Sequence, residues 1–287
     1  MKNKIAIIGA EGKMGKWFSN YFATNHDTVL FSYDIKRSND DHPHNVIRCN
    51  NLKQCVAEAD FVIICVSSDK TSSVIQKSLD LMKNGSTLLE ISSIKEGIFK
   101  SLISAPKSIV TISIHPMFGP GARRLQDTKI LFVPVRNRTR EEQKLRSILG
   151  DAKIIVIKDV LYHDRLMALI LGLTYFSNLI FGSVVSKENF ANLKKYAGTT
   201  FNLQSILFQS ILIDDPGLIS TILINNSTLT PILKDFIGVS KEIFETICVR
   251  DSKRLKRKVR DLRRNYDKSN EIERSYQKLY RLLRNME

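Results

Sequence analysis

The chain has 287 residues, with 44 lysines and arginines against 29 acids and a formal net charge of +15. With 43% hydrophobic and 25% charged residues, 13 glycines and 7 prolines, it has the composition of a soluble globular protein. That excludes a disordered, collagen-like or disulfide-stapled chain, and the length implies one large or two ordinary domains.

The opening MKNKIAIIGA is too short an apolar stretch to read as a secretory signal. In the first half, short β-branched runs alternate with helical patterns. The expected strands are Ile5–Ile8, Val29–Tyr33, Phe61–Cys65, Thr87–Glu90, Ile109–Ser113, Ile130–Pro134 and Ile154–Ile157. Amphipathic stretches such as Met14–Thr24 and Thr71–Met82 fall between them, which implies a mostly parallel sheet covered by helices. The strands after Thr87 could run either way. Cys65 lies inside an apolar run and reads as a buried small hydrophobe. The four cysteines, Cys49, Cys55, Cys65 and Cys248, form no CxxC pair, so a reducing, cytoplasmic compartment and no metal site are expected.

From about Asp159 strand signals vanish and helical periodicity takes over. The expected helices are His163–Val185, Phe190–Ile213, Leu218–Asn225, Pro231–Cys248 and Asp251–Met286, the last with a break near Ser269 and Asn270. The division is placed at residues 1–157 and 158–287: an α/β domain, then an all-α domain. Residues 166–185 carry no charge over about one bilayer span, but Thr174, Ser177, Asn178 and Ser183 interrupt them. They read as a helix buried in a core or subunit interface rather than in a membrane. Residues 250–287 hold fourteen lysines and arginines against six acids. Leu255, Val259, Leu262 and Tyr266 form an apolar stripe among those charges, which reads as a solvated helix packed on its domain. Nucleic-acid binding by this basic tail is the alternative from another class.

Gly9, Gly12 and Gly15 lie between the first strand and the first helix. Glycines there let backbone approach a pyrophosphate, and the helix offers free N–H groups with a positive dipole end. The usual GxGxxG reads as Ala10-x-Gly12-x-x-Gly15, with its first glycine displaced to Gly9. Asp34 ends the second strand, 19 positions after Gly15, where a carboxylate can accept both ribose hydroxyls of NAD. Lys36 and Arg37 follow it and leave NADP open. Lys13 and Met14 in the loop, and Val66 and Ser67 after the third expected strand, complete the expected cofactor contacts. The pattern defines a Rossmann-like dinucleotide-binding domain.

Two further segments fall at strand ends, where open α/β sheets place ligands. One contains Glu90, Ser93 and Lys95. The other is His115-Pro116-Met117-Phe118-Gly119-Pro120, read as a histidine leaving a strand into a shaped loop. Neutral His115 is the expected base, able to accept a hydroxyl proton while hydride leaves the same carbon. His26, His42 and His44 read as solvated. His163 is set aside, and the adjacent Asp164 is assigned to capping a helix start.

Gly9-x-x-Gly12-x-Met14-Gly15, Glu90-x-x-Ser93-x-Lys95, HPMFGP from His115 and His163-Asp164-Arg165-Leu166-Met167-Ala168 occur in the order seen in prephenate dehydrogenases, and the chain resembles that family over nearly its whole length. The resemblance implies a helical domain that forms a homodimer, and NAD(P)-dependent oxidative decarboxylation of prephenate to 4-hydroxyphenylpyruvate, towards tyrosine. It implies that His115 accepts a hydrogen bond from the ring hydroxyl, that Ser93 aligns the two, and that Lys95 stabilises the loop or substrate charge. Glu90 stands where the family has an aspartate, and Tyr175 where a histidine is common. No arginine for a substrate carboxylate occurs in Gly198–Phe201 or Asn225–Thr230. Prephenate, arogenate or a related cyclic acid therefore stay open. Hydroxy-acid or imine dehydrogenases of the same architecture place a lysine on the long helix, and Leu166–Val185 has none.

Overall fold

The computed structural model describes residues 3–24, 28–36, 45–266 and 271–284. It divides into two compact units, Met1–Met167 with Ser220–Asn226, and Ala168–Ile219 with Ser227–Glu287.

The first unit is built on one eight-stranded sheet. Its strands are β1 (Asn3–Ile8), β2 (Thr28–Tyr33), β3 (Val46–Arg48), β4 (Phe61–Ile64), β5 (Thr87–Glu90), β6 (Val110–Pro116), β7 (Lys129–Val133) and β8 (Lys153–Val156). They run in the order β3-β2-β1-β4-β5-β6-β7-β8, all pairs parallel except β6 with β7. Helices α1 (Lys13–Ala23), α2 (Leu52–Val56), α3 (Ser68–Leu79), α4 (Phe99–Ile103) and α5 (Arg138–Leu149) connect them, and α6 (Val160–Met167) follows. Three-residue β3 is the strand the sequence pattern does not reveal; it is too short to show alternation.

Alternation sorts the strand residues onto two faces. Ile5, Ile7, Phe61, Ile63, Leu89, Ile112 and Ile114 pack with Phe18 and Phe22 of α1 and Leu145 and Leu149 of α5. Ala6, Ile8, Val62, Ile64 and Leu88 pack with Val56 of α2, Ile75 of α3 and Leu102 of α4. Both faces are covered, so the central strands are continuously apolar, as a parallel sheet requires. Each fully buried Ile, Leu or Phe contributes about 1.5–3 kcal/mol. Cys65 is half-buried rather than wholly inside.

β6 departs from the expected strand. It does not stop at Ser113 but runs on through His115 and Pro116, opposite Leu131 and Ile130 of β7. Its partner on the other side, β5, ends at Glu90 opposite Ser113. Pro116 is tolerated because no β5 carbonyl lies beside it to receive an N–H. The antiparallel return of β7 thus places His115 within a strand, not in a loop.

The second unit is helical: α7 (Leu173–Val185), α8 (Phe190–Tyr196), α9 (Thr199–Leu212), α11 (Leu229–Cys248), α12 (Ser252–Tyr266) and α13 (Glu271–Arg284), with α10 (Pro216–Ile224) crossing the division of units. The expected helix His163–Val185 is not one regular helix, because a five-residue π turn, Ala168–Gly172, separates α6 from α7. The expected Phe190–Ile213 helix breaks at Ala197 and Gly198, both extended. The expected break near Ser269 lies outside the described residues. Gly182 lets α9 close on α7, since a Cβ there would collide with the Phe208 ring.

The uncharged helix is not buried inside the chain: Ile180 is 46% and Val184 61% exposed. The tail stripe is likewise open, from 37% at Leu255 to 69% at Tyr266, which corrects the expectation that it packs on the domain. Instead α12 is held to α11 by Arg254 and Lys258, both on the Glu242 carboxylate.

Candidate active site

The C-terminal ends of β1, β4, β5 and β6 share one sheet edge because these strands are parallel. The strand order reverses between β1 and β4, the crevice where such sheets bind ligands. Gly9 takes the turn at φ +83°, and a Cβ there would lie 2.7 Å from the Cys65 carbonyl oxygen and 3.0 Å from a Val66 methyl. The displaced glycine therefore does the work of the fingerprint's first one. Gly15 lets α1 close on the turn, since a Cβ would strike the Gly9 carbonyl.

The start of α1 suits an anion. Gly12 is its N-cap and supplies no side-chain bond, and the first turn, with Lys13 and Met14, has no acid. By contrast α2 and α5 are capped by Asn51 and Asn137, whose side chains accept backbone N–H groups. Asp34 braces the turn: Oδ2 accepts the Glu11 N–H (3.0 Å) and Oδ1 the Lys36 N–H (2.9 Å). Each oxygen keeps a lone pair for a ribose hydroxyl. Ser67 is exposed after β4 as the N-cap of α3. Arg37, His26, His42 and His44 lie outside the described residues.

His115 is buried at the end of β6 on the same sheet edge. Trp17 of α1 holds the loop that follows: its indole N–H donates to the Ala122 carbonyl (2.7 Å), and its ring lies 4.7 Å from Phe118. The HPMFGP segment is thereby tied to the helix that starts at the glycine turn. Ser93 is half-buried and has no hydrogen-bond partner among the described residues. Lys95 is wholly buried. Its ammonium donates to Glu90 Oε1 (2.6 Å) and to the Ile114 carbonyl (2.6 Å), so it faces inward. Burial pulls its pKa down while Glu90 opposes the shift. Glu90 also accepts from the Ser113 hydroxyl (2.5 Å) and the Ser92 N–H (2.7 Å), a fully satisfied buried carboxylate.

His163 and Asp164 correct the sequence reading. The cap of α6 is Asp159, which accepts the Tyr162 N–H on Oδ1 and the His163 N–H on its carbonyl. His163 and Asp164 lie within the helix and are both buried. His163 Nε2 stands 3.3 Å from His115 Nδ1, and its Nδ1 is 2.7 Å from Asp164 Oδ1. The Asp164 carboxylate also receives the backbone N–H groups of Lys95 and Glu96. Asn226 donates to the Asp164 carbonyl (2.8 Å) and pins the helix. Burial first, then the Lys95 charge and His163, hold His115 well below the usual histidine pKa. Burial also lowers His163, against Asp164. The His-Asp pair was visible as a motif; its partner 48 residues away was not.

A glycine turn on an open-ended helix at the switch point of a covered parallel sheet defines a nucleotide-binding domain. Family models agree: "Prephenate dehydrogenase, nucleotide-binding domain" matches residues 23–129, and "Prephenate dehydrogenase, dimerization domain" matches residues 160–261. The chain belongs to the prephenate dehydrogenase family. The "Probable arogenate/prephenate dehydrogenase" of Methanocaldococcus jannaschii is 30% identical over 263 residues, 88% of this chain and 59% of that protein. The chain spans less than three fifths of the length of the curated relatives it matches. Among solved structures, prephenate dehydrogenase from A. aeolicus, in complex with hydroxyphenyl propionate and NAD+, superposes with a TM-score of 0.71 at 16% identity, covering 92% of this chain and 97% of that one. Synechocystis arogenate dehydrogenase gives 0.69 at 16%, covering 92% and 99%. At that identity both show the fold alone.

Proposed function

We propose that the chain is a cytoplasmic NAD(P)-dependent dehydrogenase that oxidatively decarboxylates prephenate to 4-hydroxyphenylpyruvate, with arogenate as the alternative substrate. The observation that carries this is His115, buried and favoured as neutral, on the sheet edge that also bears the glycine turn. Gly9, Gly12, Lys13, Met14 and Gly15 would hold the pyrophosphate, Asp34 the adenosine ribose, and Val66 and Ser67 the adjoining part of the dinucleotide. The bound nicotinamide supplies the hydride acceptor. His115 accepts the hydrogen bond of the reacting hydroxyl and takes its proton as the carbonyl forms. Ser93, whose hydroxyl is uncommitted, orients that hydroxyl. Lys95 acts by holding Glu90 and β6 in place. Loss of carbon dioxide follows from aromatisation, so the protein's task is positioning.

The helical unit is proposed to pair with a second copy. The open apolar residues of α7 and α11, and a matched dimerization domain, support it. Binding of nucleic acid or membrane is not part of the proposal.

The test offers the purified chain prephenate and arogenate with NAD or NADP and follows the reduced nicotinamide band. One of the four pairs should turn over. His115→Asn should lower that turnover by about 10²–10⁴-fold with little change in cofactor affinity. Full turnover in His115→Asn assigns the chemistry elsewhere.

A further inference from the structure

His163 has no place in the chemistry above, yet it is buried against the ring that does the work. Its surroundings determine where its proton sits. The Asp164 carboxylate receives the Lys95 N–H at 3.0 Å, the Glu96 N–H at 2.8 Å and His163 Nδ1 at 2.7 Å, and a carboxylate only accepts. His163 therefore donates from Nδ1. A neutral imidazole has one N–H, so His163 Nε2 bears a lone pair. That lone pair faces His115 Nδ1 at 3.3 Å with the ring planes at 58°. Two lone pairs in that position would repel, so the proton of His115 sits on Nδ1. Its Nε2 is left as the free acceptor.

We infer that His163 is a positioning residue: the Asp164–His163 pair fixes His115 in the Nδ1–H tautomer and so points its Nε2 lone pair at the reacting hydroxyl. The consequence for turnover rests on the proposed dehydrogenase reaction; the tautomer itself does not. As the hydroxyl proton moves to His115 Nε2, its Nδ1–H bond to His163 strengthens, and positive charge spreads towards Asp164. Asp159 at the start of α6 and Asn226 on the Asp164 carbonyl keep the helix from turning.

The test is ring-nitrogen NMR of the full chain labelled with ¹⁵N-histidine at pH 7.5. There are five histidines, and His115→Asn and His163→Phe assign the two signals. Wild type should show His115 and His163 both protonated on Nδ1 and bare on Nε2. In His163→Phe, His115 should shift wholly or partly to Nε2–H. Turnover should then fall by about 10²-fold or more, the range set by a misplaced base proton, with KM nearly unchanged. His163→Gln supplies a carbonyl oxygen to accept from His115 in place of the ring nitrogen and an N–H for Asp164, so it should restore the tautomer and most of the turnover. This also keeps the test open should the phenylalanine variant fold poorly. A wild-type His115 protonated on Nε2, or His115 signals unmoved in a folded His163→Phe, overturns the inference. The expected tautomers with no turnover of prephenate or arogenate would uphold it and overturn the proposed reaction instead.

Discussion

Lys95→Met separates a structural lysine from one that meets substrate. The ammonium is wholly buried and engaged by Glu90 and the Ile114 carbonyl, both at 2.6 Å. Methionine fills most of the same space, so the packing loss is small. What remains is the Glu90 carboxylate, also wholly buried, with only the Ser113 hydroxyl and the Ser92 N–H for partners among the described residues. Removing one member of a buried pair leaves an uncompensated charge and costs about 3–5 kcal/mol. At roughly 2–4 °C per kcal/mol for a unit of this size, the melting temperature should fall by about 6–20 °C. Urea unfolding and thermal melts read this directly. Glu90→Met with Lys95→Met should recover about 1–3 kcal/mol relative to Lys95→Met alone, because the orphaned charge is gone. A Lys95→Met protein within about 1 kcal/mol of wild type but without turnover would refute the reasoning and place the ammonium on the substrate.

Both site histidines have native pKa values below the ordinary 6.5 or so, so they stay neutral where free histidine protonates. The acid limb of turnover should therefore lie well below pH 6.5; a limb at or above that value contradicts a buried His115. Stability should be steady above about pH 6.5 and decline below it, because the unfolded chain then binds protons that His115 and His163 refuse in the native state; urea titrations at pH 7.5 and 5.5 check this. Asp34→Ala should weaken NAD by about 1–3 kcal/mol through lost hydrogen bonds; unchanged affinity in titration calorimetry removes Asp34 from the ribose site. Val184→Arg with Ile180→Glu, on the open face of α7, should convert a sedimenting dimer to monomer without loss of helix content, whereas an unaltered dimer places the interface elsewhere.

The alternation of short β-branched runs with amphipathic stretches was enough to predict seven of the eight strands, because those patterns live within a few residues of chain. Gly9, Gly12, Gly15, Asp34 and His115 were legible for the same reason: a turn that needs positive φ, a strand-ending acid and a histidine beside prolines are local signals. The alternation could not extend β6 through Pro116, since that depends on β7 returning antiparallel beside it. Nor could it show Lys95 turning inward, which follows from Glu90 and Ile114 closing around its ammonium. The His163-Asp164 pair shows the division most clearly. Adjacency suggested a helix cap; the fold instead brings His163 to His115 across 48 residues, Lys95 to Asp164 across 69 and Asn226 to Asp164 across 62. Local chemistry in the chain determined which groups were available, and only the packing of α6 and residues 220–226 in the sheet unit decided which nitrogen faces which.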